Sequence, residues 1–170
     1  MEKSECKEYL FNTLGVMASL YYCMAKNVIE KLGEEEGKKL IVRAMREFGS
    51  MRGEEIRKKV AAKGLELNLQ NLNQNYDLPL HIAWEMKSIK STPYESHSEN
   101  YFCKFAEVWK ELGKEAVSLG LLYCEQDAAL MHSYNPNIGF NNPKNVLRED
   151  KCCEHIMRLT KGSPRGVKLR

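Results

Sequence analysis

Residues 123–155 read YCEQDAALMHSYNPNIGFNNPKNVLREDKCCEH. The stretch changes character twice. From Tyr123 to His132 the apolar residues keep helical spacing. YNPNIGFNNP cannot be helical, because Pro136 and Pro143 break it and its Asn and Gly residues favour turns. From Cys153 to Leu159 the pattern alternates with the period of a strand. A helix, a turn-rich loop and a strand in direct succession exclude an all-helical chain. The same stretch holds three of the six cysteines and two of the four histidines, so reactive side chains are concentrated here as well.

Upstream, Leu10, Leu14, Met17, Leu20, Tyr21, Met24, Val28 and Leu32 recur every three or four residues. They predict a helix from about Lys7 to Leu32 with a broad apolar face, closed by Gly33. A second helix is predicted from Glu34 to about Lys63. Glu34, Glu35 and Glu36 suit the positive end of its dipole, and Gly64 ends it. Gly49 and Gly53 interrupt its pattern and signal close packing, a bend or a break. Residues 65–79 turn rich in Asn and Gln and read as a short helix with a turn, or as an ordered loop. Alternation of Leu80, Ile82, Trp84 and Met86 with His81, Ala83, Glu85 and Lys87 predicts a half-buried strand ended by Ser91, Thr92 and Pro93. A third helix is predicted from about Ser98 to Leu112, with Phe102, Phe105, Ala106 and Trp109 on one face, stopped by Gly113. A fourth is predicted from about Glu115 to His132. The sum is an α+β fold, with long N-terminal helices packed with a small antiparallel sheet and two further helices. One domain is predicted over 1–160. Lys161, Arg165, Lys168 and Arg170, interspersed with Gly162, Pro164 and Gly166, predict a flexible basic tail over 161–170.

The formal charge is +3, from 26 basic and 23 acidic residues, too even to argue for nucleic acid. MEKSECKEYL at the start has no apolar run suited to a signal peptide, and no run of apolar residues is long enough to span a membrane. Six cysteines in a chain of this kind read as free thiols. A cytoplasmic location is expected, with a small-molecule substrate as partner, no nucleic acid, no membrane, and self-association into a homo-oligomer left open.

Four groups of side chains invite chemistry. Cys153 and His155 share one face of the last strand, roughly 6–7 Å apart, and can address one pocket. A nucleophilic cysteine needs a lowered pKa, whereas an unactivated one is an ordinary buried thiol. Cys124 and Asp127 share a helix face, and Asp127 sits in the apolar run Ala128-Ala129-Leu130-Met131. A carboxylate turned inward costs free energy unless it is bonded or used, as general base or as anchor for a substrate amine. His132 reads as a helix-end residue or a proton carrier. Tyr134 and Asn135 begin a loop that shapes a pocket mouth or simply holds itself together. His81, Trp84 and His97 are lesser candidates. Cys103, Cys124, Cys153 and His155 are the residues a zinc ion would use, but there is no CxxC pair and no HExxH, so no metal is expected. No phosphate loop or dinucleotide fingerprint occurs, and no cofactor is expected.

The segment LGEEEGKKLIVRAMREFGSMRGEEI (32–56) carries a further signal. With it goes the order Cys103, Gly113, Cys124 with Asp127, Tyr134-Asn135-Pro136, Leu147, Asp150 and Cys153. In this pattern the chain resembles the L-2-amino-thiazoline-4-carboxylic acid hydrolase family, a set of small bacterial proteins. The family pattern has Phe-Asn-Pro in the loop and Gly-Asp before the last cysteine, where this chain has Tyr134 and Glu149. The ending also resembles small-molecule-binding domains related to the vinyl reductase accessory fold. The first resemblance implies a hydrolase that opens a small carboxylated heterocycle of thiazoline or cyclic amidine type at a C–N or C–S bond, giving an N-carbamoyl amino acid. Cys153 would be nucleophile or a thiol beside the true centre, Asp127 would activate water or hold the substrate amine, and His155 or His132 would carry a proton. Tyr134, Asn135, Cys124 and Cys103 would line the pocket. The second resemblance implies a non-catalytic small-molecule-binding or sensor domain. Trp84, Trp109 and the amphipathic helices also leave room for an accessory interaction protein.

Overall fold

The computed structural model describes residues 3–79, 82 and 84–160. The expected tail at 161–170 and the candidate His81 lie outside the described residues. Two long antiparallel helices open the chain, α1 (Lys3–Leu32) and α2 (Glu34–Ala62), followed by the short α3 (Leu69–Gln74). Then come β1 (Trp84–Ser91) and β2 (Glu95–Cys103), three short helices α4 (Lys104–Leu112), α5 (Lys114–Tyr123) and α6 (Gln126–Tyr134), and β3 (Ile138–Asn141). A 3₁₀ turn at Val146–Arg148 and β4 (Cys153–Leu159) complete the order. The strands form one antiparallel sheet in the order β1-β2-β4-β3. The α+β architecture is as the sequence predicts. Among the described residues no helix is long and apolar enough to cross a membrane.

α2 runs unbroken through Gly49 and Gly53. Both glycines exist for contact: a Cβ on Gly49 would lie 2.2 Å from the Gln126 carbonyl oxygen, and one on Gly53 would lie 2.3 Å from that of Leu130. The backbone of α6 therefore rests directly on α2. Two core clusters flank this seam. One gathers Leu14 and Ala18 of α1 with Phe105, Ala106 and Trp109 of α4, Ala116 of α5, and Val146 and Leu147. The other gathers Ile56, Val60, Leu69, Leu72, Leu130, Met131 and Tyr134 with Ile138 and Met157 of the sheet.

The structure differs from the predicted elements in four places. Residues 98–103, predicted as the start of a helix, belong to β2. Ser96, Ser98 and Asn100 are the buried positions of that strand, and His97, Glu99 and Tyr101 are the less buried ones. The period is two, but polar residues occupy the inner face, so hydropathy conceals the strand. The predicted fourth helix is two helices, with a tight turn at Cys124–Glu125 in which Glu125 N–H donates to the Leu122 carbonyl. Nothing in that stretch is a helix breaker, and the turn is set by the docking of α6 on the α2 glycines. The strand predicted from Leu80 starts at Trp84, Ile82 being helical. Inside the loop predicted as turns lies a strand, β3, paired with β4.

Two backbone conformations bear on the sequence pattern. Gly113 joins α4 to α5 at φ 106°, and Glu149 is the one non-glycine residue among those described with positive φ, at 69°. Glycine is the residue best suited to that conformation, and it is the residue that the resemblance noted above implies there.

Candidate functional site

The inner face of the sheet does not close onto the helices. Between them lies a cavity of about 450 Å³, within the range of small-molecule sites. The sheet supplies its floor in cross-strand rows. Asn100 stands opposite Cys153, Ser98 opposite His155, and Ser96 opposite Met157, and all six line the cavity. Trp84, Met86 and Ser88 of β1 extend the floor. Helices form the roof: Arg52 from α2, Phe105 and Trp109 from α4, Tyr123 and Cys124 at the end of α5, and Asp127 and Met131 from α6. Asn142, Asn145, Val146 and Leu147 close one side.

Asp127 stands out chemically. Its carboxylate accepts no hydrogen bond from the described residues, and its pKa is raised to about 6 by burial, against the lowering influence of Arg52. A carboxylate with that pKa is ionised at neutral pH yet basic enough to take a proton. Arg52 is itself tightly held. Its Nε and Nη2 donate to the two oxygens of Asp77 at 2.6 and 2.7 Å, its Nη1 donates to Gln126 Oε1 at 2.7 Å, and its plane lies over the rings of Phe48 and Tyr76. Burial would lower its pKa, but the bond to Asp77 and the nearby Tyr76 hold it above the usual range, so it stays charged.

The three thiols of the cavity are neutral. Burial pushes Cys153 up to about 11, and raises Cys124 and Cys103 as well. They act as wall and as acceptors: Val146 N–H donates to Cys153 Sγ at 3.5 Å, and Asn145 Nδ2 to Cys124 Sγ at 3.7 Å. Asp150 Oδ2 accepts from Asn145 N–H at 2.8 Å, and Asn145 Oδ1 accepts from Leu147 N–H at 2.9 Å. Cys124, Leu147, Asp150 and Cys153 of the sequence pattern thus converge on one 3₁₀ turn. All six cysteines are free. Among the described residues no cation contacts Cys153.

His155 accepts a hydrogen bond from Asn100 Nδ2 on its Nδ1 at 3.1 Å, which leaves the proton on Nε2. Burial lowers its pKa to about 4. It is therefore neutral near pH 7 and can donate through Nε2. Among the described residues no three His, Cys, Asp or Glu side chains come together as a metal-binding group.

Three expected pocket residues lie elsewhere. Tyr134 is fully buried in the second core cluster, and its hydroxyl donates to the Asn68 carbonyl at 3.0 Å. Asn135 donates from Nδ2 to the Leu67 carbonyl at 2.7 Å and accepts the Asn137 N–H at 3.0 Å. Together they pin the segment before α3, and neither lines the cavity. His132 is exposed on the last turn of α6. His97 faces the other side of the sheet, 2.9 Å from Glu154. Glu154 also meets Lys144 at 3.1 Å, and the bonds from Lys144 and His97 hold its carboxyl below the usual range. Conversely, sequence reasoning missed Ser96, Ser98, Asn100, Asn145 and Arg52. Arg52 reads as one more cation of a basic helix, and its only local signal is its place beside Gly53.

Comparison with known proteins supports the same architecture. The chain is similar to a trafficking protein particle complex subunit 3 from Naegleria fowleri, solved covalently bound to palmitic acid. That likeness has 11% identity, a TM-score of 0.56, and covers 88% of this chain and 96% of the other. It is also similar to the phenol-responsive sensory domain of the transcription activator PoxR, solved with phenol, at 9% identity and a TM-score of 0.50, covering 86% of this chain and 74% of that one. At such identities the likeness is one of fold. No curated protein matches the chain. The sequence description of L-2-amino-thiazoline-4-carboxylic acid hydrolase matches residues 15–156, which include every cavity residue named above except Met157, and the chain accordingly belongs to that family.

Proposed function

We propose that the protein is a hydrolase that opens a small carboxylated heterocycle of thiazoline or cyclic amidine type, with Asp127 as general base. The observation that carries this reading is the Asp127 carboxylate, which lines the cavity without a hydrogen-bond partner among the described residues and whose pKa burial raises to about 6. Ionised, it takes a proton from a water molecule as that water adds to the amidine carbon. The protonated Asp127 then returns that proton to the departing ring atom as the C–N or C–S bond breaks, while the proton of the adduct's new hydroxyl passes to the ring nitrogen, leaving a carbamoyl group on the amino acid. Net consumption is one water, and no external oxidant or reductant is involved. His155 Nε2–H and the hydroxyls of Ser96 and Ser98 are donors for the developing charge. Arg52 supplies the positive field for the substrate carboxylate, and the neutral Cys103, Cys124 and Cys153 shape the wall.

The test is turnover of L-2-amino-thiazoline-4-carboxylate and of larger cyclic amidines, with product mass read by mass spectrometry, in the wild type and in Asp127→Asn. A carbamoyl product whose rate of formation falls roughly 10²–10⁴-fold in the variant supports the reading. Equal turnover in both overturns the role of Asp127.

A second reading is favoured by one specific observation. The cavity is larger than a single small heterocycle needs, and its wall includes the rings of Trp84, Phe105, Trp109 and Tyr123 and the side chains of Met86, Met131 and Met157. The two fold relatives were solved with palmitic acid and with phenol. On this reading the protein binds an apolar small molecule without converting it. Stoichiometric binding with no product, and variants that change affinity alone, would decide for it.

A further inference from the structure

One acceptor of the cavity has no use in the fold. Asn142 stands between the end of β3 and Pro143, and it lines the cavity. Among the described residues its Oδ1 is buried from solvent without a hydrogen-bond partner. A buried amide oxygen in that state is costly, and native proteins carry few of them. Nearby asparagines show the ordinary solution. Asn135 Oδ1 accepts the N–H of Asn137 at 3.0 Å, and Asn145 Oδ1 accepts that of Leu147 at 2.9 Å. Pro143 directly after Asn142 has no N–H to offer and restricts Asn142 to extended backbone. The oxygen thus sits on a constrained backbone with its bonding capacity unfilled.

We propose that Asn142 reads the amino group of the substrate, its Oδ1 accepting an N–H carried on the amidine carbon. This role rests on the hydrolase reading above, in which Asp127 is engaged with the attacking water and another acceptor has to hold the amine. Three other carboxamides of the cavity are committed. Gln126 Oε1 accepts from Arg52 Nη1 at 2.7 Å, Asn145 Oδ1 accepts from Leu147, and Asn100 presents its Nδ2 to His155. The thiols of the wall are weak acceptors. The terminal torsion of an asparagine is broad, so a turn of the amide brings Oδ1 into the cavity, and the oxygen gives up no bond in turning. A substrate carboxylate has no hydrogen to donate, so the contact orients the ring by its amino end. A site that holds an N–H in this way discriminates against a ligand of the same shape that lacks one.

The test compares L-2-amino-thiazoline-4-carboxylate with its 2-methyl counterpart, which keeps the shape and the carboxylate but has no amino hydrogens. Calorimetry reads both dissociation constants in the full-length Asp127→Asn protein, where conversion is slow, and in the same protein carrying Asn142→Leu or Asn142→Asp. The ratio of the two constants is expected to favour the amino compound and to shrink by about tenfold or more in Asn142→Leu. The 2-methyl compound should bind Asn142→Leu as it binds the parent, which also shows that the variant is folded. Asn142→Asp keeps an acceptor and should keep the ratio. A ratio unchanged in Asn142→Leu overturns the proposal. So does a ratio lost equally in Asn142→Asp, which would make the amide a donor. Turnover of the amino compound by the chain with Asp127 intact is read separately. Turnover with a ratio unaffected by Asn142→Leu keeps the hydrolase and removes this contact. A ratio that collapses in Asn142→Leu, without turnover, keeps the contact and removes the hydrolase. Failure of both compounds to bind removes both.

Discussion

The two sides of α6 meet the rest of the protein in opposite ways. On one side the carbonyls of Gln126 and Leu130 press on Gly49 and Gly53 so closely that a single methyl group has no room. On the other side Asp127 and Met131 look into a hollow of about 450 Å³. The contrast explains how a short helix can hold a buried carboxylate without a partner. Desolvation favours local movement that would bring water or a hydrogen-bond donor to Asp127. The backbone seam behind it, with Arg52 pinned one residue before Gly53, resists that movement. Tight packing on one face keeps a polar group exposed to the cavity on the other.

The largest expected effect falls on the seam. Gly53→Val drives a branched side chain into backbone that cannot step aside, and costs at least about 3 kcal/mol. A fall in Tm of roughly 6–12 °C is expected, and a melt like that of the wild type would show that α2 and α6 do not meet as described.

On the cavity side, removing the charge should stabilise the fold. The pKa of Asp127 rises from 3.8 to about 6 on folding, so the folded state holds the proton more tightly. Its contribution is present below about pH 4 and is lost as pH rises through 6, a difference on the order of 3 kcal/mol at full ionisation. His155 runs the other way. Its pKa falls from 6.5 to about 4, so its contribution is present above pH 6.5 and is lost as pH falls through 4. Between pH 4 and 6.5 the two slopes oppose each other. Urea denaturation across that range should show Asp127→Asn gaining on the wild type as pH rises, and His155→Gln losing less than the wild type as pH falls. Parallel curves for all three proteins would contradict both shifts.

A smaller effect is expected at the thiol wall. Cys153→Ser keeps the shape of the wall and replaces a neutral acceptor, so kcat should stay within about tenfold of wild type. A loss of several orders of magnitude would restore the nucleophile. The smallest effect is expected at Glu149, held at φ 69°. Glu149→Gly removes left-handed strain and adds freedom to the unfolded chain, for a net gain of about 0.5–1 kcal/mol. A loss on chemical denaturation would mean that the Glu149 side chain earns its place by a contact.

The same contrast governs what could be read from the sequence. Where side chains pack against each other the patterns were plain: α1 and α2 by their spacing, the ends at Gly33 and Gly64, β4 by its alternation. Where they face the hollow, the rule that apolar residues turn inward no longer holds. Ser96, Ser98 and Asn100 are buried because they floor a cavity, and for that reason β2 looked like part of a helix. Asp127 was legible because a lone carboxylate in an apolar run is costly wherever it points. Arg52 was not, since a cation among many on a polar helix has no local mark of burial. Tyr134 and Asn135 suggested a pocket mouth because turn residues beside an aromatic ring fit one equally well. Their hydrogen bonds to Asn68 and Leu67 connect segments more than sixty residues apart, a relation no local pattern carries.

The pH dependence of kcat/KM on a carboxylated 2-amino-thiazoline tests the central claim most directly. An unpartnered Asp127 acting as base predicts a rate that climbs with an apparent pKa near 6 and reaches a plateau by neutral pH, with the climb absent from the residual activity of Asp127→Asn. A rate still rising above pH 8, with the rise removed by Cys153→Ser and retained in Asp127→Asn, would contradict it and place the chemistry on the thiol.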